Sequence, residues 1–206
     1  MSEDTDIRLQ PHEVALLRGG PRAAVTVAVV GLHLRGAVEP GRPGTMRAPQ
    51  PLVADTVPGQ SPPPLPPPLE SAVRASLAEP CGLRQLVRRP DVRLAVALMR
   101  IPLAEAGLLA YPLLGPTRAA RRQVRALRER HALPAERRGL TDDDRLLAVA
   151  LHGEAALRVL FPRFALRAGL VGRARVADRG FHSRSPRGGG TGGAPYSCGG
   201  GGGGSD

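Results

Sequence analysis

The sequence predicts a mainly α-helical protein: a small helical domain that opens with a winged-helix-like helix-turn-helix plus a short β-hairpin and ends in a disordered, glycine-rich tail. Three observations carry this. Apolar residues recur at three- and four-residue steps through most of the middle of the chain, the spacing of one helix face. The 26 glycines and 22 prolines cluster, cutting the 206 residues into stretches that can order and stretches that cannot. Aromatic residues make up only 2% and tryptophan is absent, so the core must rest on Ala, Val and Leu contacts. The length suits one domain, or two very small ones, with tails.

Residues 1–10 are a polar lead, acidic at Glu3, Asp4 and Asp6, the reverse of the basic start of a secretory leader. Residues 11–48 are expected to form the helix-turn-helix and hairpin module. Pro11-His12-Glu13 makes a favourable first turn, with proline at the start and an acid near the positive helix end. Val14 and Leu17, with Ala15 and Leu16, form its apolar face. Arg18-Gly19-Gly20-Pro21 stops that helix and starts another. The second helix, Pro21 to about Arg35, sets Ala24, Val25, Ala28, Val29 and Leu32 at helical spacing. Its valines also suit a buried strand, but its length favours a helix, which Gly36 caps. Two short extended pieces around Pro40-Gly41-Arg42-Pro43-Gly44 then read as a hairpin.

Residues 49–69 are a proline-rich linker, a polyproline II spacer in its Ser61–Pro68 part. Residues 70–171 form a helical region. Helical pattern covers Glu70–Ala78, then Leu83 to about Leu109 with interruptions at Pro90 and Pro102, then Thr117–His131. Thr141 is an N-cap, and Asp142-Asp143-Asp144 open a helix running to about Leu160, because acids belong at the positive helix end. From 172 to 206 the chain is Arg-, Gly- and Ser-rich, a composition that builds no core. A weak internal repeat aligns Arg22, Ala24, Val25, Leu32 and Gly36 with Arg93, Ala95, Val96, Leu103 and Gly107, although Ala/Leu-rich chains also match by chance.

The formal charge is +11, and all 29 basic residues are arginine. GC-rich coding explains the joint excess of Arg, Ala, Gly and Pro; selection for the bidentate guanidinium fork would explain only Arg. Either way the excess attracts nucleic acid and anionic lipid non-specifically. Arg118, Arg121, Arg122, Arg125 and Arg128 share one helix face, a candidate contact for phosphate backbones or lipid headgroups, set against ordinary solvated surface. Arg22 and Arg35, with Thr26 and His33, are the polar residues a winged-helix DNA reader would use. They are few for base readout, and a helix pair packed on its own hairpin is the simpler reading.

Nothing points to catalysis. There is no nucleophile elbow, P-loop or dinucleotide fingerprint, and the five histidines are scattered. Cys81 and Cys198 form no ligand spacing, and Asp142–Asp144 is better explained as helix capping than as a metal site. No cofactor, metal or small-molecule substrate is expected. The longest apolar run, Ala23–Leu32, is about half of what a bilayer span needs, so a cytoplasmic chain without a transmembrane helix is expected.

Glu13-Val14-Ala15-x-Leu17-Arg18-Gly19-Gly20-Pro21-Arg22, with the apolar segment ending Leu34-x-Gly36, resembles an uncharacterised group of actinobacterial proteins. Its members share this module, a later Gly-Leu-Leu helix (here Gly107-Leu108-Leu109), an Ala-Leu-x-Gly segment (Ala150–Gly153) and a Gly- or Gly/Cys-rich tail. Many carry hydrophobic spans and are labelled membrane proteins; this chain departs from that pattern. The resemblance implies peripheral attachment through a spanning relative, and no activity, substrate or catalytic residue. The functional expectation is a non-enzymatic interaction protein with an unknown protein partner, at the inner membrane face by charge or by partner binding. The alternative is a winged-helix-like DNA-binding protein.

Overall fold

The computed structural model describes residues 9–49, 67–112, 114–136 and 139–172. Most of the polar lead, residues 50–66 of the proline-rich linker, and the Arg/Gly tail from 173 onward, Cys198 included, lie outside the described residues.

The first helix, α1 (Pro11–Leu34), contains both helices expected for the N-terminal module. Gln10 caps it, and the Glu13 carboxylate accepts the Gln10 N–H at 2.8 Å. At Gly20 the backbone leaves helical geometry (φ 71°, ψ −165°), and Pro21 opens the second arm. The expected turn is thus a one-residue kink. Glycine supplies the positive φ, and proline is tolerated in the first turn after it, so the chain needs no loop.

The expected hairpin is present as β1 (Glu39–Pro40) and β2 (Met46–Arg47), antiparallel with Glu39 opposite Arg47. Its outer edge is not free. Met46 and Cys81 exchange backbone hydrogen bonds at 2.9 and 3.0 Å, an isolated bridge on that edge. At the tip, Gly44 N–H donates to the Arg167 carbonyl at 2.8 Å.

Helix α2 (Pro68–Ser76) begins two residues before the expected start, since proline again fits a first turn. Two helices, α3 (Leu83–Leu86) and α4 (Pro90–Glu105), divide at the expected Pro90, while Pro102 is carried inside α4. A second hairpin, β3 (Leu109–Ala110) with β4 (Gly115–Pro116), takes the end of what the periodicity reads as helix. Next comes α5 (Arg118–Arg130), whose Thr117 hydroxyl accepts from Ala120 N–H at 3.2 Å. Thr141 caps α6 (Asp142–His152) as expected, in a capping box with Asp144. The helix read as running to Leu160 is broken at Gly153 (φ 59°, ψ −122°), and α7 (Glu154–Leu160) and α8 (Pro162–Arg167) follow.

Helix α1 is the axis of this packed unit. Val14, Ala15, Ala24, Val25, Ala28, Val29 and Val30 are fully buried, and α6 packs along α1 more extensively than any other helix, followed by α2. Among the described residues α1 alone is long and apolar enough to cross a bilayer, at 24 residues and mean hydropathy 1.3; most of that length is covered here by neighbouring helices. That length counts together the two arms on either side of the break at Gly20, which is why it outruns the apolar run read from sequence.

The internal repeat has a structural counterpart. After α1, Gly36 takes φ 70°, its N–H donates to His33, and Ala37 N–H donates to Leu32. After α4, Gly107 takes φ 69°, its N–H donates to Ala104, and Leu108 N–H donates to Leu103. Both are Schellman caps, each followed by a two-stranded hairpin; the cap glycines and the helix residues matched before them are offset by 71 residues, while the strands are offset by 70 and 69. The second arm of α1 with β1–β2 and α4 with β3–β4 thus share one order of helix, Schellman cap and hairpin.

Candidate interaction surface

The first unit is enclosed. Of the polar side chains a DNA reader would use there, Arg22 and Arg35 are exposed, and Thr26 and His33 are half-buried. Thr26 Oγ1 donates to the Arg22 carbonyl at 2.8 Å. His33 Nδ1 donates to the Val38 carbonyl at 3.1 Å, and its ring stacks on Phe164 with centroids 3.7 Å apart. Arg35 is held by Glu70, donating from Nη2 to Oε2. With the second arm of α1 buried and the hairpin tip bonded to α8, no long face of this module is free to lie in a groove.

Glu70 is a buried carboxylate, 1% exposed, and it joins both ends of α1 to α2. Its second oxygen accepts from His12 Nε2 at 3.1 Å, which assigns His12 the Nε2–H tautomer and leaves buried Nδ1 without a partner. Burial, and secondarily the Arg35 guanidinium, push the His12 pKa down from 6.5 to about 4. Arg35 already balances the Glu70 charge, so the imidazole gains little from being cationic. Gly31 makes room for this carboxylate: a β-carbon there would stand 2.6 Å from Glu70 Oε1. The sequence reading did not find His12 and Glu70; they are 58 residues apart, and only the packing of α2 on α1 joins them.

Where α1 kinks, Arg18 Nε donates to the Ala150 carbonyl in α6 at 2.6 Å, and its guanidinium covers Gly153. Burial first, and then the neighbouring Arg128, lower the Arg18 pKa. The arginine supplies a donor to a last-turn carbonyl of α6, where cations are favoured. The free thiol of Cys81 is buried, which raises its pKa despite nearby Arg89.

On α5, Arg118, Arg121, Arg122, Arg125 and Arg128 are all exposed, while Ala120 and Val124 face the core. None of the five forms an ion pair with a described residue. The helix thus presents one basic face, as its spacing predicts.

The second repeat unit presents a different surface. Leu94, Leu98 and Ile101 of α4 are 60%, 53% and 52% exposed, and their spacing places them on one side of the helix. Beside this ridge lies an open groove of about 630 Å³ between α4, the start of the second α1 arm at Pro21, and the α3–α4 turn at Val87. Arg88, Arg93 and Arg100 line it. Nothing in the sequence singled out these three residues, because α4 is apolar on both sides and periodicity alone does not say which side is covered. The signal was the repeat: the positions equivalent to Leu94, Leu98 and Ile101 are Ala23, Val27 and Val30.

Among the described residues no group of three or more His, Cys, Asp and Glu side chains could hold a metal ion. Comparisons with family models, with curated proteins and with solved structures find no match to this chain.

Proposed function

We propose that this chain is a non-enzymatic interaction module whose docking surface is the open face of α4. One observation carries the reading. The same order of helix, Schellman cap and hairpin occurs twice, and the face buried in the first (Val27 1%, Val30 0% exposed) is bare and more hydrophobic in the second (Leu98 53%, Ile101 52%). An exposed apolar ridge with a polar, basic rim is the composition of a binding site rather than of solvated helix surface. The actinobacterial group that Glu13–Arg22 resembles fits this reading and adds no chemistry to it.

The experiment is site-specific photocrosslinking in the native cell, with the photoreactive residue at Leu98 or, as control, at Leu166, which is also 51% exposed. A discrete adduct at Leu98 that is absent at Leu166 and lost on Ile101→Gln is the expected result. Equal or no labelling at the two sites removes the reading.

A second reading is favoured by the five α5 arginines, none ion-paired with a described residue: charge-driven contact with an anionic surface, lipid or nucleic acid, without sequence recognition. The enclosure of α1 and the tethered tip of β1–β2 speak for this non-specific form over the winged-helix alternative.

A further inference from the structure

We infer that the α4 face seats an amphipathic helix of a partner protein, with small apolar residues on its contact side and acidic residues on its flank. This rests on the interaction reading above and names the class of partner.

The first repeat unit shows what covers such a face. Arg22, Ala23 and Thr26 share a small cleft with Val149 of α6 and with Glu154 and Leu157 of α7. Val149 and Leu157 line this cleft beside the helix, and Glu154, ion-paired with Arg158 at 2.7 Å, stands on the same cleft as the exposed Arg22. Their counterparts 71 residues later, Arg93, Leu94 and Ala97, line the open groove of α4. Among the described residues no helix covers Leu94, Leu98 and Ile101 as α6 packs along α1.

Charge selects among occupants. Arg88, Arg93 and Arg100 stand along the groove without an ion pair to any described residue, whereas the adjacent Arg89 is matched by Glu79 at 3.0 Å. A second copy of this chain would bring the same arginines to the contact, a like-charge juxtaposition. An anionic bilayer would meet the ridge of Leu94, Leu98 and Ile101 but has no side chain to enter the concave groove beside it. An acidic amphipathic helix satisfies ridge, groove and rim together, the helix-in-groove mode of recognition.

The test uses the full-length chain and two synthetic helical peptides of about 18 residues, some five turns. They share one Leu/Ala face and differ only in Glu or Lys on the flanks. Isotope-edited NMR is expected to show the Glu-flanked peptide shifting amides of α4 and binding at least about tenfold more tightly than the Lys-flanked one. Arg93→Glu with Arg100→Glu reverses the preference, and Leu98→Gln with Ile101→Gln removes binding of both peptides while the thermal midpoint is kept. The inference is overturned by equal affinity for the two peptides, by a preference indifferent to Arg93 and Arg100, or by shifts confined to the α5 arginines. Phosphatidylglycerol vesicles and sedimentation velocity separate the levels. Leu98-dependent vesicle binding or dimerisation would overturn the acidic helix and leave the interaction reading standing. If peptides, vesicles and self-association are all indifferent to Leu98→Gln with Ile101→Gln, both fall.

Discussion

Leu98 of α4 holds the position that Val27 holds in α1, 71 residues earlier in the same order of helix, cap and hairpin; Val27 is 1% exposed and Leu98 53%. Equivalent places in this shared order therefore have opposite energetic roles. Val27→Ala removes buried methyl groups and is expected to cost about 2 kcal/mol of stability. Leu98→Ala should change it by less than about 0.5 kcal/mol, as exposed positions do. Urea unfolding of the two variants checks the contrast, and an equal cost at both positions would mean that the α4 face is covered within the chain itself.

Gly31 and Glu70 form a close approach that a side chain would spoil. The carboxylate is held from two directions, by His12 and Arg35, so it has little freedom to yield to a β-carbon 2.6 Å away. Gly31→Ala should destabilise the fold by about 1–3 kcal/mol, the range for overpacking. In a Glu70→Ala background the same change should cost much less, because the obstructing carboxylate is gone. A double-mutant cycle read by chemical unfolding measures the coupling, and additive losses would contradict it.

Acid should weaken the fold through His12. In the unfolded chain this histidine takes up a proton near its ordinary 6.5; in the folded chain its pKa is lowered to about 4 by burial and by Arg35. Between those values the unfolded state binds more protons, so stability is present above the unfolded pKa and is lost as pH falls toward the folded one. The loss from this group approaches about 3 kcal/mol by the lower end of the window. His12→Gln should flatten the dependence of the urea midpoint on pH between about 6.5 and 4. An unchanged slope in the variant would place the titration elsewhere.

The basic face of α5 should act as bulk charge. Replacing Arg118, Arg121, Arg122 and Arg125 together by glutamine is expected to reduce co-sedimentation with anionic vesicles and retention on duplex DNA alike, and to flatten the salt dependence of both. The fold should be unaffected, since all four side chains are exposed and unpaired among the described residues. Vesicle binding that survives the quadruple change would move the lipid contact off α5.

Much of this architecture was legible before any coordinates. Thr141 caps its helix because a hydroxyl next to a helical run has free N–H groups to accept from, a local matter that needs no tertiary partner. Pro90 starts α4 and Gly36 ends the α1 helix for equally local reasons. The arginine face of α5 follows from spacing alone. The break at Gly19-Gly20-Pro21 was legible as well: Gly20 leaves helical geometry and Pro21 opens the second arm. Where the sequence reading failed, a local signal outweighed the periodicity. Gly107 and the residues after it continue an apolar pattern, yet the positive φ at Gly107 turns them into β3.

What the sequence by itself determined is most of the helices, the caps at Thr141 and Gly36, and the charge, because each depends on neighbours within a few residues. Only the tertiary structure decided which of two similar apolar helices is enclosed and which keeps a bare face. Burial is a property of what packs against a helix, and α6 reaches α1 across more than a hundred residues of chain while no described element closes over Leu98. The same holds for Glu70, whose value to the fold lies in His12 and Arg35, brought to it by the docking of α2 on α1.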